Sequence, residues 1–204
     1  MARIVLIHGY SIGLSATKDP VPSDLRFSGF SDQLKAGEAV VFPWYQEENH
    51  SFLSLINPFF LYQVYTKEKI ASESERVLLN LKDFFKAEQP KIIVCHSLGA
   101  ALLIQFLNRY KLERSVQDIV FVQADLSNKT PLPKDLFQVK LFNIFCYWDP
   151  ALMASWLING VQPAGLTGWE QPEVENKFVP LFGHWNLHDA SISQKQFAQF
   201  VSSL

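Results

Sequence analysis

The stretch Ile92-Ile93-Val94-Cys95-His96-Ser97-Leu98-Gly99-Ala100-Ala101 decides how this chain is read. Its first half is apolar without alternation, which is the pattern of a strand covered on both faces. From Ser97 to about Lys111 the residues are helix-forming and apolar on most sides, so a helix buried against a sheet is predicted directly behind the strand. A strand that turns into a helix within so few residues has no room for bulk two positions either side of the turn, and Cys95 and Gly99 are both small there. Ser97 thus sits on a sharp turn at the positive end of a helix, where backbone N–H groups can meet developing negative charge.

Further runs of the same β type lie on either side. Ile4 to Ile7, Ala39 to Phe42, Lys91 to Cys95, Ile119 to Val122, Leu141 to Tyr147 and Phe178 to Phe182 are predicted as six strands. Helical periodicity separates them. It is clearest from about Thr66 to Ala87, where Ile70, Val77, Leu78, Leu81, Phe84 and Phe85 share a face and Pro90 follows. A last helix is predicted over about Ala190 to Val201. Strands alternating with helices imply a doubly wound α/β fold, with a mostly parallel six-stranded sheet flanked by helices.

Two segments break the alternation. Residues 46–65 carry Phe52, Leu53, Leu55, Ile56, Phe59, Phe60 and Tyr62 around Pro58, and read either as a loop or short helix tucked onto the core or as a cap over a pocket. Residues 160–177, with Gly160, Pro163, Gly165, Gly168 and Pro172, read as a loop.

Composition narrows the function classes. With 204 residues, 48% hydrophobic and 19% charged, residues 1–204 read as one domain with ample core material. The net charge of -2 and the lack of basic runs leave no footprint for nucleic acid or an anionic membrane. No stretch approaches the roughly 20 apolar residues of a transmembrane helix. No secretory signal is visible, because His8-Gly9 interrupts the first apolar run at once. Cys95 and Cys146 fall inside apolar runs, which suits reduced thiols in a cytoplasmic protein.

The strand, elbow and small residues around Ser97 resemble the α/β-hydrolase superfamily, including its lipase and esterase members. The opening Ile4-Val5-Leu6-Ile7-His8-Gly9-Tyr10 is similar to the strand and His-Gly turn of such domains. The resemblance implies a minimal α/β-hydrolase fold lacking the first two strands. It implies Ser97 as nucleophile, with the N–H groups of Tyr10 and Leu98 as oxyanion hole. The acid is expected after a later strand, where Asp149 ends Asn143 to Trp148 in an Asp-Pro turn; Asp125, one strand earlier, is the alternative. Asp149 also suits an N-cap for a helix starting near Ala151. The base is expected past the last strand at His184, in a Gly-His step, with His188 as the alternative.

The order Ser97, Asp149, His184 is that of this fold and of neither protease fold. The resulting expectation is a serine hydrolase acting on a small ester-like substrate, or a thioester or amide, without a cofactor. Trp148 and Trp185 beside the acid and base suggest an apolar acyl group, although core packing explains such residues equally well. His8 and His96 are expected as structural neighbours of the site and His50 as a solvated loop residue. The His184/His188 spacing lacks the glutamate of a His-Glu-x-x-His metal site, so no metal is expected. A catalytically silent domain that binds a ligand or protein remains the alternative. A nucleotide-binding doubly wound protein would need a glycine-rich phosphate loop, and neither such pattern occurs.

Overall fold

The computed structural model describes residues 3–9, 27–44, 58–133, 136, 138–179, 192 and 194–204. Strands β1 (Ile4–Ile7), β2 (Ala39–Val41), β3 (Ile92–His96), β4 (Asp118–Val122), β5 (Lys140–Phe145) and β6 (Val174–Phe178) form one sheet in the order β2-β1-β3-β4-β5-β6. Every neighbouring pair is parallel. The expected fold class is therefore the one observed: a doubly wound α/β sheet of six parallel strands.

The apolar runs become strands because both faces are covered. On one face Val5, Ile7, Ile93, Cys95, Ile119 and Phe121 join Leu78, Leu81, Phe85 and Phe106 in a buried cluster. On the other, Ile4, Leu6, Ile92, Val94, Val120 and Val122 pack with Phe27, Phe30, Ala198 and Val201. The first cluster brings in helices α3 (Glu75–Glu88) and α4 (Leu98–Leu107); the second brings in α7 (Lys195–Ser202). The described residues also form a 3-10 turn (Ser28–Phe30), α1 (Ser31–Ala36), α2 (Pro58–Ser72), α5 (Pro150–Asn159) and α6 (Ala164–Thr167).

The periodic run predicted as one helix from Thr66 to Ala87 is two. Helix α2 (Pro58–Ser72) ends in a tight turn, with Glu73 N donating to Ile70 O and Ser74 N to Ala71 O. The Ser72 hydroxyl donates to the Lys69 carbonyl at 2.7 Å, a local bond that competes with helix continuation. Ser74 is extended and α3 restarts at Glu75. The break takes Ile70 off the shared face and leaves it 65% exposed, while Leu78, Leu81 and Phe85 stay buried. Residues 58–65, expected in a loop or cap, are the first turns of α2; the rest of 46–65 lies outside the described residues.

The last strand also differs from expectation. β6 spans Val174–Phe178, so four of its residues fall in the segment 160–177 read as a loop, and the ladder closes with Val179 N donating to Phe145 O; residues 180–182 of the strand expected over Phe178 to Phe182 lie outside the described residues. Among the described residues β6 pairs only with β5, so Glu175 and Lys177 can face solvent and the apolar signature is lost.

Phe85 meets Phe106 edge-to-face at 5.3 Å in the middle of the first cluster. Phe85→Ala should cost about 3–5 kcal/mol in urea unfolding, and Leu157→Ala, at an 86% exposed position, less than about 0.5 kcal/mol. Equal losses would refute the packing assigned to α3.

Candidate active site

Parallel pairing places the C-terminal ends of the strands together. β1 and β3 run in register, with Ile7 beside Cys95, so His8-Gly9 leaves the sheet alongside His96-Ser97. Ser97 has φ 53 and ψ -123, a conformation rarely adopted by a residue with a side chain and costing about 1–3 kcal/mol. Its surroundings hold it there. Ser97 N donates to Val122 O at 3.0 Å, and Ser97 O accepts from Asp125 N at 3.2 Å and from Ala100 N at 3.0 Å.

Two glycines make the turn possible. A Cβ on Gly9 would lie 2.3 Å from the Ser97 Cβ and 2.9 Å from its Oγ. A Cβ on Gly99 would lie 2.6 Å from the Ile7 carbonyl oxygen and 2.7 Å from that of His8. Only hydrogen fits at either position, so the Ser97 hydroxyl lies directly against the backbone leaving β1. Leu98 opens α4, so its N–H has no carbonyl one helical turn back to bond. His8 is buried beside this turn; its Nδ1 contacts Gly9 O at 2.9 Å and its ring stacks on Trp44, whose Nε1 donates to His8 O. His96 is buried as well. Both are neighbours of the serine, as expected.

Asp149 lies just beyond the C-terminal end of β5 and is fully buried. Its Oδ1 accepts from Ala151 N at 2.9 Å and Leu152 N at 3.1 Å, capping α5, with Pro150 at the first helical position. Its Oδ2 accepts from Gln123 Nε2 at 2.6 Å. These three donors take three of the roughly four acceptor positions of a carboxylate and fix its plane. Gln123, also fully buried, follows β4 directly with a positive φ of 47. Its conformation is braced by α6. A Cβ on Gly165 would stand 2.2 Å from the Gln123 carbonyl carbon, so this glycine lets α6 wedge between the ends of β4 and β5. Gly165 N donates to Ala124 O, and Gly165 O accepts from Cys146 N. Sequence reading missed Gln123; its position at a strand end two residues before Asp125 was the available signal.

Asp125 occupies different surroundings. Its Oδ1 accepts from the Ser155 hydroxyl at 2.6 Å, and the Tyr65 phenol bonds to it as well. Burial, followed by the charge of Asp125, pushes the Tyr65 pKa up to about 12. Tyr10, His184, His188, Trp185 and His50 lie outside the described residues. Trp148 is exposed. Cys95 and Cys146 are buried free thiols, and burial pushes the Cys95 thiol well above its ordinary value. Among the described residues no helix is long and apolar enough to cross a membrane, and no three metal-ligating side chains cluster.

Fold and site together define a parallel α/β protein with a serine on a strained strand–helix elbow and an acid at a later strand end. No protein-family model matches the chain, and no curated protein sequence matches it. Solved structures of similar architecture include a protein of Xanthomonas campestris pv. campestris assigned to the α/β hydrolase superfamily. It is 17% identical, with both chains covered in full and a TM-score of 0.47. A dienelactone hydrolase-like promiscuous phosphotriesterase from metagenomic libraries is 12% identical over all of this chain and 87% of its own, with a TM-score of 0.48. Identities this low transfer no activity, so the chemistry rests on the side chains.

Tyr65 offers a test by pH. Its folded pKa lies above the ordinary 10.0, so the fold favours the protonated phenol. The stability it contributes is complete below pH 10 and is lost as pH rises towards 12. Tyr65→Phe should therefore flatten the alkaline fall of Tm over that interval, and a curve parallel to that of the unaltered protein would contradict the assignment.

Proposed function

We propose that this protein is a serine hydrolase that cleaves a carboxylic ester, or a related thioester or amide, through an acyl-enzyme on Ser97. The observation that carries this reading is the strained backbone at Ser97 with its hydroxyl pressed against Gly9. Backbone strain held in place by its neighbours clusters at functional positions, which supports this reading. A merely structural serine would gain nothing from a turn that two glycines must accommodate.

In the mechanism, the Ser97 hydroxyl attacks the substrate carbonyl while His184 takes its proton. The tetrahedral oxyanion accepts from the N–H groups of Leu98 and Tyr10, each worth about 3–4 kcal/mol to the barrier. His184 then protonates the leaving group, and a water activated by the same imidazole releases the acid and restores Ser97. Asp149 orients the imidazole: Gln123 and the first turn of α5 fix the plane of its carboxylate, which suits it to accept a histidine N–H. The capping and catalytic roles are compatible because different lone pairs serve them.

A fluorophosphonate should label the folded protein at Ser97 and leave heat-unfolded protein untouched. Ser97→Ala should lose at least about a thousandfold of p-nitrophenyl acetate turnover over background. Unlabelled native protein, or a mutant with half its activity, would refute the hydrolase.

The base is tested separately. His184→Ala should abolish acyl transfer and His188→Ala should retain most of it. Activity should rise with pH through a histidine limb near about 6.5, as the imidazole loses its proton. Loss in His188→Ala alone would move the base to that residue.

A further inference from the structure

A cavity of about 200 Å³ opens beside the elbow, and its walls mix apolar side chains with a cluster of polar ones. Leu98, Ala101 and Gln105 form one side, three positions on one face of α4 starting at the residue after Ser97. Asp125 forms another, and its N–H bonds to Ser97 O, which ties the cavity to the serine by a second route. Its volume equals that of roughly six or seven liquid waters, enough for a small substituent.

Five of the polar residues in the lining form one chain of bonds. Lys69 Nζ donates to Asn159 Oδ1 at 3.0 Å. Asn159 Nδ2 donates to the Tyr65 hydroxyl at 2.9 Å and to Ser155 Oγ at 3.0 Å. Tyr65 and Ser155 both bond to Asp125. Donors thus run from helices α2 and α5 towards one carboxylate, and the raised pKa of Tyr65 keeps its phenol a donor. The charged side chains lining the cavity are Lys69, Glu73 and Asp125, two negative against one positive. A substituent with a negative charge meets net repulsion there, whereas one with its own donors finds an acceptor in Asp125.

We propose that this cavity is the substrate subsite for a small group bearing hydrogen-bond donors, a hydroxyl or primary ammonium, held at Asp125 and Ser155. The proposal rests on the acyl-enzyme reading of Ser97 and adds a polar subsite, on one side of the scissile bond, to the apolar pocket expected from the sequence. It also gives Asp125 a role other than acid of the triad.

Five esters separate the alternatives: propyl butyrate, glycerol monobutyrate, propyl β-hydroxybutyrate, propyl β-aminobutyrate and propyl hydrogen succinate. At least one donor-bearing ester should exceed propyl butyrate in kcat/KM by about tenfold, the effect of one bond to a charged acceptor. The succinate should fall below propyl butyrate. The ester that gains identifies hydroxyl or ammonium and the side of the scissile bond that enters. Asp125→Asn and Ser155→Ala should each bring the ratio towards one, which a merely structural loss would not do because it lowers all esters alike.

Calorimetry with Ser97→Ala protein measures the subsite without turnover, and the same order of affinities is expected. Equal affinities for propyl butyrate and all donor-bearing esters, or preference for the succinate, would overturn the subsite. Donor-selective binding to Ser97→Ala, with no turnover by the unaltered protein, would support the subsite and overturn the hydrolase.

Discussion

The site hangs on one steric constraint: the backbone leaving β1 passes the β3–α4 turn at a distance that only glycine tolerates. Gly9 faces the Ser97 side chain and Gly99 faces the carbonyls of Ile7 and His8, so the two segments interlock. The constraint is set by the sheet, because the in-register pairing of β1 with β3 brings Ile7 beside Cys95 and leaves no slack in the next two residues. β4 and the segment leaving it supply the rest through Val122 O and Asp125 N, which hold Ser97 in a conformation it would not keep alone. Burial of both sheet faces thus sustains local strain at one serine.

The acid side follows the same principle with hydrogen bonds in place of close contact. Asp149 is fully buried, which is costly for a carboxylate unless donors surround it. Two come from the first turn of α5 and one from Gln123. Gln123 reaches it because β4 and β5 end side by side and α6 is wedged against both. A cap, a strand end and a short helix together orient one carboxylate. Asp125, only two residues from Gln123, serves a separate polar chain between α2 and α5.

Much of this was readable along the chain. The central strands announce themselves because burial on both faces requires apolar residues at every position, as in Ile92 to Cys95 and Ile119 to Val122. The elbow was readable because a serine between strand and helix, with small residues two positions away, describes a geometry by its composition. Asp149 as a cap was likewise visible in Asp-Pro before an apolar helix. The strand β6, paired only with β5 among the described residues, was hidden, since Glu175 and Lys177 can face water and break the pattern that identifies a covered strand. The break at Glu73-Ser74 was hidden too, because apolar spacing continues from Ile70 to Val77 although the helix does not.

By itself, then, the sequence determined the elements that each bury their own face and the residue types standing at their ends. The tertiary structure alone decided which of those ends meet. The pairing of Gln123 with Asp149, the contact of Gly9 with Ser97 and the convergence of Tyr65, Ser155 and Asp125 join residues 26, 88 and up to 90 positions apart. Periodicity records how one element sits against the core, whereas contacts between elements depend on strand register and helix placement, which side-chain packing across the sheet sets.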